Sequence, residues 1–271
     1  MELNICIVHY NSADTIRCLE SIAAQTVKPS VILVNNASTD ASMEAVRAYG
    51  KQGLLDLTIL DAPSNGGFAA GNNIALRWAH RHTPEAWNML LNNDTLLPED
   101  FVERMITTAE SIRQHSSVPF ALSAAEYDDS KRKKRHTGMQ YLSLPTGWCF
   151  ASPGLCRTPY LCGACMLMDP KAPLWDEDYF LYFEDVDYAK RLQAKGYQLL
   201  TTDTTRYYHI KSATTAYNPD IIAIQMTSMW RYYRTYYPRW MPIVRCLRVI
   251  TNLLRGRIQV ARIVNQTYHQ A

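Results

Sequence analysis

Short apolar runs alternate with segments of helical period along the first 125 residues. Leu3 to His9 has the length and composition of a buried strand, and Ser12 then stands where it would cap a helix whose Leu19, Ile22 and Ala23 share one face. Val31 to Val34 is a second strand, Asp40 the next predicted helix cap, and Leu57 to Leu60 a third strand. Residues 69–82 keep a helical pattern despite Gly71, and Trp87 to Leu91 is a fourth strand that stops at Asn92-Asn93-Asp94. Pro98 opens a helix running to about Gln114, and Val118 to Ala124 completes the series. Strands alternating with helices predict an α/β fold, a mostly parallel sheet flanked by helices.

Beyond Ala124 the regularity breaks. Asp128-Asp129 is followed by the basic run Lys131 to Arg135, read as a solvated loop, and the turn formers between Pro145 and Pro159 predict a loop-rich lobe. Leu161 to Met168 is a strand-like run, Glu184 to Lys195 a helix stopped by Gly196, and Tyr197 to Thr201 and Arg206 to His209 two further strands. From about Asp220 aromatic and basic residues dominate, which divides the chain into a catalytic domain at 1–218 and an amphipathic helical tail at 219–271. Such a tail either packs on the domain, mediates a dimer contact, or lies as a peripheral anchor in a membrane interface. The chain shows no internal repeat.

Composition narrows the class. A chain of 271 residues that is 47% hydrophobic can bury one full α/β core plus an appendage. A net charge of +3 is too mild to suggest nucleic-acid binding. Seven cysteines, an odd number and several of them inside apolar runs, point to a reduced, cytoplasmic setting. Cys162 and Cys165, with Cys149 and Cys156 upstream, have a Cys-x-x-Cys spacing, but its place in an apolar run favours core cysteines over a metal or redox site. The N-terminus lacks the regions of a signal peptide, and no apolar run approaches the ~20 residues of a membrane span.

In open α/β sheets ligands bind beyond the carboxyl ends of the strands. Four such ends are polar here: Tyr10-Asn11, Asn35-Asn36, Asn65-Gly66-Gly67 and Asn92-Asn93-Asp94. Each alone reads as turn chemistry, whereas together they suit a base, a ribose and a diphosphate. Asp94, a carboxylate just past a buried strand, either caps the segment opened by Thr95 or holds a divalent cation whose other ligands are diphosphate oxygens. Glu184-Asp185-Val186-Asp187 opens a helix whose dipole favours carboxylates, and Asp185 is the candidate acceptor for a hydroxyl proton. His209 is either structural or a metal ligand of a kind Mn²⁺ accepts more readily than Mg²⁺, and Lys211 is a candidate phosphate contact.

Six segments in order carry a resemblance: Ile7 to Asn11, Val34 to Asp40, Asn65 to Asn73, Leu90 to Thr95, Phe180 to Asp187 and the histidine at 209. They resemble the motifs of family-2 glycosyltransferases, most of all the bacterial rhamnosyltransferase-like branch, from about residue 3 to 215. The resemblance implies a GT-A (Rossmann-like) fold and an inverting, metal-dependent transfer of a sugar from a nucleotide-sugar donor. It places Tyr10 and Asn36 at the base and Asn65, Gly67, Asn72 and Asn73 near ribose and diphosphate. Asp94 and His209 match the ligands of Mg²⁺ or Mn²⁺, and Asp185 matches the catalytic base. The donor it suggests first is dTDP-L-rhamnose, and the acceptor a glycan or lipid-linked saccharide in cell-surface polysaccharide biosynthesis at the inner face of the cell membrane. Asn92 replaces the first acid of the Asp-x-Asp motif, and Asn35 the usual Asp after the second strand. A catalytically silent nucleotide-sugar-binding protein is the non-enzyme alternative. A sugar nucleotidyltransferase would need a glycine-rich phosphate loop after the first strand, and residues 8–13 have none.

Overall fold

The computed structural model describes residues 2–210 and 218–270. Its first half follows the predicted alternation: β1 (Leu3–His9), α1 (Thr15–Ala23), β2 (Ser30–Asn35), α2 (Ser42–Gly50), β3 (Asp56–Asp61), α3 (Gly67–His82), β4 (Trp87–Leu91), a short β5 (Thr95–Leu96), α4 (Phe101–His115) and β6 (Phe120–Asp128). Helix α1 starts at Thr15 rather than beside Ser12, because the Thr15 hydroxyl is drawn inward to Nδ1 of the buried His9, 2.7 Å away.

The second half is more finely divided than its apolar runs suggest. It contains β7 (Lys134–His136), β8 (Met139–Ser143), β9 (Cys149–Phe150), β10 (Arg157–Leu161), β11 (Cys165–Met168), α5 (Glu184–Ala194) and β12 (Gln198–His209). The predicted loop-rich lobe folds into a small three-stranded sheet in the order β10-β8-β9. The run Leu161 to Met168 is two strands, parted at residues 162–164, where the Cys162 amide bonds the Gly138 carbonyl at 3.0 Å and the Ala164 carbonyl accepts from the Asn92 amide at 2.9 Å. The two strands predicted between Tyr197 and His209 are one, β12, with a bulge between Thr202 and Arg206. A bulge lets one long strand change its facing without leaving its ladder.

The central sheet runs β3-β2-β1-β4-β11-β6-β12-β5, with β7 beside β6. Strands β3, β2, β1 and β4 are parallel, as are β6 and β12, while β11 runs antiparallel between β4 and β6. The register therefore brings the carboxyl ends of β1, β2, β4, β6 and β12 to one edge, together with the start of β11. Alternation within β1 feeds both faces: Leu3, Ile5 and Ile7 pack with Leu19, Ile22, Phe101 and Met105, and Cys6 packs with Ala69, Leu76, Tyr188 and Leu192 on the other side. Burial on both faces is why these strands read as continuous apolar runs.

Three helices close the chain: α6 (Pro219–Tyr236), α7 (Met241–Leu254) and α8 (Ile258–Gln270). Asn218 caps α6, its Oδ1 accepting from the Asp220 amide at 2.9 Å, and Pro219 fits the first turn because it has no amide hydrogen to lose. Trp230, Tyr232 and Tyr233 of α6 are buried in one cluster with Phe183, Val186 and Ala189 around α5, and the Tyr233 hydroxyl donates to the Ser143 and Leu144 carbonyls. These aromatics of the tail are thus core residues.

Candidate active site

At the carboxyl edge of the parallel strands the loops are tied together by amides. The Asn36 side chain is buried at the end of β2; its Nδ2 donates to Asn65 Oδ1 at 2.9 Å and to the Gly67 carbonyl at 3.1 Å, and its Oδ1 accepts from the Gly66 amide at 3.2 Å. Asn65 Oδ1 also accepts from the Gly67 amide at 3.0 Å, so the loop before α3 is latched to β2. Asn73 is fully buried: its Oδ1 accepts from the Trp175 amide at 2.8 Å, and its Nδ2 donates to the Trp175 carbonyl and the Glu177 carboxylate. Asn72 donates one turn back to the Phe68 carbonyl at 2.9 Å. These amides, of which Asn36 was expected at the base and Asn65, Asn72 and Asn73 near ribose and diphosphate, hold the loops to one another and to the backbone. Tyr10 differs from them, with its ring 42% exposed at the end of β1.

Gly67 joins this frame to the segment before α5. Its φ is +83°, and a Cβ there would lie 2.0 Å from the Phe180 carbonyl oxygen, while the next amide, Phe68, donates to that same oxygen at 2.9 Å. Only glycine meets both conditions. Tyr182 and Phe183 follow with φ of +66° each, so two consecutive bulky residues hold the left-handed conformation at the entry to α5. Such strain persists only where surrounding packing over-determines it, here the burial of Phe183 against Tyr232, and it fixes the direction in which α5 begins.

Asp185, in the first turn of α5, is half-buried beside the 162–164 break. Its Oδ2 accepts from the Gly163 amide at 3.4 Å, and its Oδ1 from the Val186 amide at 2.9 Å. Burial pushes its carboxyl up to about 6, against the lowering effect of those amides. The neighbouring Glu184 is buried and its Oε2 has no hydrogen-bond partner; burial, reinforced by the Asp185 charge, raises it well above the usual carboxylate range. Burial thus raises both carboxyl groups, and the charge on either one disfavours ionisation of the other.

Asp94, Glu126, His136 and His209 form the other half of the site. His209 Nε2 is 3.0 Å from Asp94 Oδ1, and its Nδ1 is 3.3 Å from Glu126 Oε1. Glu126 Oε2 is 3.3 Å from His136 Nε2 and accepts from the Tyr207 hydroxyl at 2.9 Å, while Arg135 donates to Glu126 at 2.8 Å and to Asp128 at 3.0 Å. Burial by itself would lower the His209 imidazole, yet its hydrogen bonds to Asp94 and Glu126 outweigh that and raise it to about 9. Burial would likewise raise Glu126, but its bonds to His136 and His209 hold the carboxyl well below its usual range. Only with the Nε2 proton displaced would the Asp94 oxygen and the His209 nitrogen, 3.0 Å apart, be a fitting pair of donors for Mn²⁺. Glu126, an ion-pair distance of 3.3 Å behind Nδ1, stands where a carboxylate can orient a metal-ligating imidazole.

The two halves meet through the break at residues 162–164 in the Leu161 to Met168 run. Ala164 bonds Asn92, two residues before Asp94, and Gly163 bonds Asp185; His136, in contact with Glu126, is near enough to Asp185 for its charge to lower that carboxyl. Lys211, the expected phosphate contact, lies outside the described residues.

Comparison with known sequences decides the family. The model of Glycosyl transferase family 2 matches residues 4–169. The chain belongs to glycosyl transferase family 2. Comparison with curated proteins gives no match. Among solved structures, this glycosyltransferase chain is similar to S. aureus TarS 1-349 in complex with UDP-GlcNAc, at 16% identity over 100% of this chain and 92% of that one, with a TM-score of 0.55. It is also similar to the mannosyltransferase PcManGT from Pyrobaculum calidifontis in complex with GDP-Man and Mn²⁺, at 16% identity over 98% and 73% of the two chains, TM-score 0.60. GalNAc-T7 with UDP, GalNAc and Mn²⁺ aligns over 89% of this chain and 49% of its own, at 11% identity and a TM-score of 0.68. At such identities the likeness concerns the fold, the GT-A arrangement of a curled mixed sheet between helices.

Within this family-2 chain, sequence reasoning missed Glu126, Arg135 and His136. Glu126 closes an apolar run as a polar residue at a strand end, the signal that singled out Asp94, and the parallel pairing of β6 with β12 sets it next to Tyr207 and near His209. Arg135 belongs to the run read as a solvated loop; it turns inward while Lys131 to Lys134 stay exposed. Cys162 lies with Glu126 and His136 in a group whose ligand atoms fall within 4.8 Å of one another. The cation on Arg135 competes for the same carboxylate, and burial holds the Cys162 thiol well above its usual range, so that group reads as a hydrogen-bonded core.

Proposed function

We propose that this protein is an inverting glycosyltransferase that moves a sugar from a nucleotide donor to an acceptor hydroxyl, residues 1–218 forming the catalytic unit and 219–271 its appendage. The observation that carries the reading is the convergence of the Asp94–His209 pair and the Asp185 carboxylate through residues 162–164 on one edge of the sheet. The UDP-GlcNAc, GDP-Man and Mn²⁺ bound by the solved neighbours support a nucleotide sugar and a divalent cation here. Tyr10 and Asn36 serve the base, and the frame of Asn65, Gly67, Asn72 and Asn73 shapes the loop for ribose and diphosphate, with Lys211 toward phosphate.

Asp185 accepts the proton of the acceptor hydroxyl as that oxygen bonds to the anomeric carbon. The bond from that carbon to the diphosphate oxygen breaks on the opposite side, and its electron pair leaves with the nucleoside diphosphate. One displacement from the far side inverts the anomeric carbon. With a carboxyl raised to about 6, Asp185 is ionised at pH 7 yet a stronger base than an ordinary aspartate. Held by Asp94 and His209, Mn²⁺ or Mg²⁺ would neutralise charge on the departing diphosphate.

The motif resemblance makes dTDP-L-rhamnose the first donor to test, and the basic tail favours a lipid-linked saccharide or other glycan acceptor met at the cytoplasmic face of a membrane. A thermal-shift panel of nucleotide sugars with and without Mn²⁺ tests the reading, since a donor bound to the folded state raises its melting temperature. The expected result is a metal-dependent rise with one donor class; no rise with any nucleotide sugar contradicts it.

A further inference from the structure

Helix α7 turns an apolar stripe outward. Its inward face mixes Met241, Val244 and Val249, which pack on the core, with the polar Arg248 and Asn252. Ile243, Leu247, Ile250 and Leu254 face solvent, with 47, 38, 52 and 82% of their surfaces exposed. Spacings of three and four residues set these side chains along one face of the helix. Leu253 and, past the turn, Ile258 widen the stripe at 49 and 56% exposure. An amphipathic helix in a soluble domain ordinarily turns that face to the core, and a contiguous exposed patch of this kind marks a contact surface.

Charge says what covers it. Arg248 donates to the Thr146 and Gly147 carbonyls, and Arg245 to Asn265 Oδ1, so the arginines alongside the stripe are tied inward. Arg239 before the helix and Arg255 and Arg257 after it are exposed at its ends. Residues 221–271 hold eight arginines and no acidic residue, and with a whole-chain charge of +3 this leaves the first 220 residues at −5. An apolar stripe ended by arginines, on the positive pole of a polarised molecule, matches the interface of a bilayer with anionic headgroups. A second copy of the chain matches it less well, because a two-fold contact would bring arginines of like charge together.

We propose that α7 lies in the interface of a membrane containing anionic lipid, with Ile243, Leu247, Ile250 and Leu254 among the acyl chains and Arg239, Arg255 and Arg257 on headgroup phosphates. The inference deepens, and rests on, the reading of a membrane-side acceptor. The test is flotation of the full chain with vesicles of phosphatidylcholine alone or mixed with phosphatidylglycerol. The wild type is expected to float with the mixed vesicles and to be released by high salt. Ile250→Asp with Leu254→Asp, both at exposed positions, should lower the floated fraction at least about tenfold while the circular dichroism spectrum is kept. Arg255→Gln with Arg257→Gln should remove the preference for phosphatidylglycerol. A wild type that floats with neither vesicle, or an aspartate variant that floats as well as the wild type, overturns the proposal. So does a wild-type dimer in light scattering that the aspartate variant converts to monomer without flotation. Nucleoside diphosphate release is followed on the same preparations: flotation without release rejects the transferase reading and leaves the membrane surface standing, and release without flotation does the reverse.

Discussion

On the side of the candidate site from β1 to α3, neutral amides hold the loops: Asn36 and Asn65 tie the β2 end to the loop before α3, and Asn73 holds the Trp175 backbone and the Glu177 carboxylate. On the acid side Asp94, Glu126, His136 and His209 form a connected charged network, and Glu184 and Asp185 lie beside it with both carboxyl groups raised by burial. The difference is one of purpose. A buried amide with its hydrogen bonds made keeps its shape at any pH, whereas a buried carboxylate carries a desolvation cost that moves its proton affinity. The first kind of group suits a frame, and the second suits proton transfer and cation binding.

Substitutions sharpen this contrast in order of expected size. Asp185→Asn should lower turnover at least ~100-fold with donor affinity by calorimetry nearly unchanged, because only the proton acceptor is lost. Glu126→Gln should weaken Mn²⁺ binding in the presence of nucleoside diphosphate by about tenfold or more, since the imidazole of His209 loses the carboxylate behind it. Asn73→Ala should destabilise the fold by about 1–3 kcal/mol in urea unfolding, because the buried Trp175 amide loses its acceptor, and should change turnover less than Asp185→Asn does. Tyr10→Ala should alter stability by no more than about 0.5 kcal/mol, its effect falling on donor KM. An Asn73 variant that loses turnover without losing stability would break the division between frame and chemistry.

Much of the fold was legible because β1, β2 and β4 are buried on both faces and stop at polar clusters. Asp94 and His209 stood out as polar residues at strand ends, and Asp185 as a carboxylate opening a helix. The division of Leu161 to Met168 was not legible, since nothing in its composition reports that the Ala164 carbonyl pairs with Asn92 across the sheet. Glu126 was missed because its importance depends on parallel pairing with β12, a contact between residues 81 positions apart in its bond to Tyr207. The asparagines could be read as a cluster, but whether an amide faces a ligand or another loop is set by tertiary packing. In the tail the direction of each side chain was not legible: Arg245 and Arg248 turn inward while Ile243, Leu247, Ile250 and Leu254 turn out.

The central claim is that a buried, proton-accepting carboxylate works against a cation-binding pair on one edge of the sheet. The rate of nucleoside diphosphate release as a function of pH, at saturating donor and Mn²⁺, tests it most directly. Because the carboxyl of Asp185 is raised to about 6, it is protonated and inactive below that pH and ionised above it, so the rate should climb through a midpoint near 6 to a plateau. That limb should be missing from the residual activity of Asp185→Asn. A wild-type rate that is flat across this region, or a limb that survives the substitution, would contradict the account.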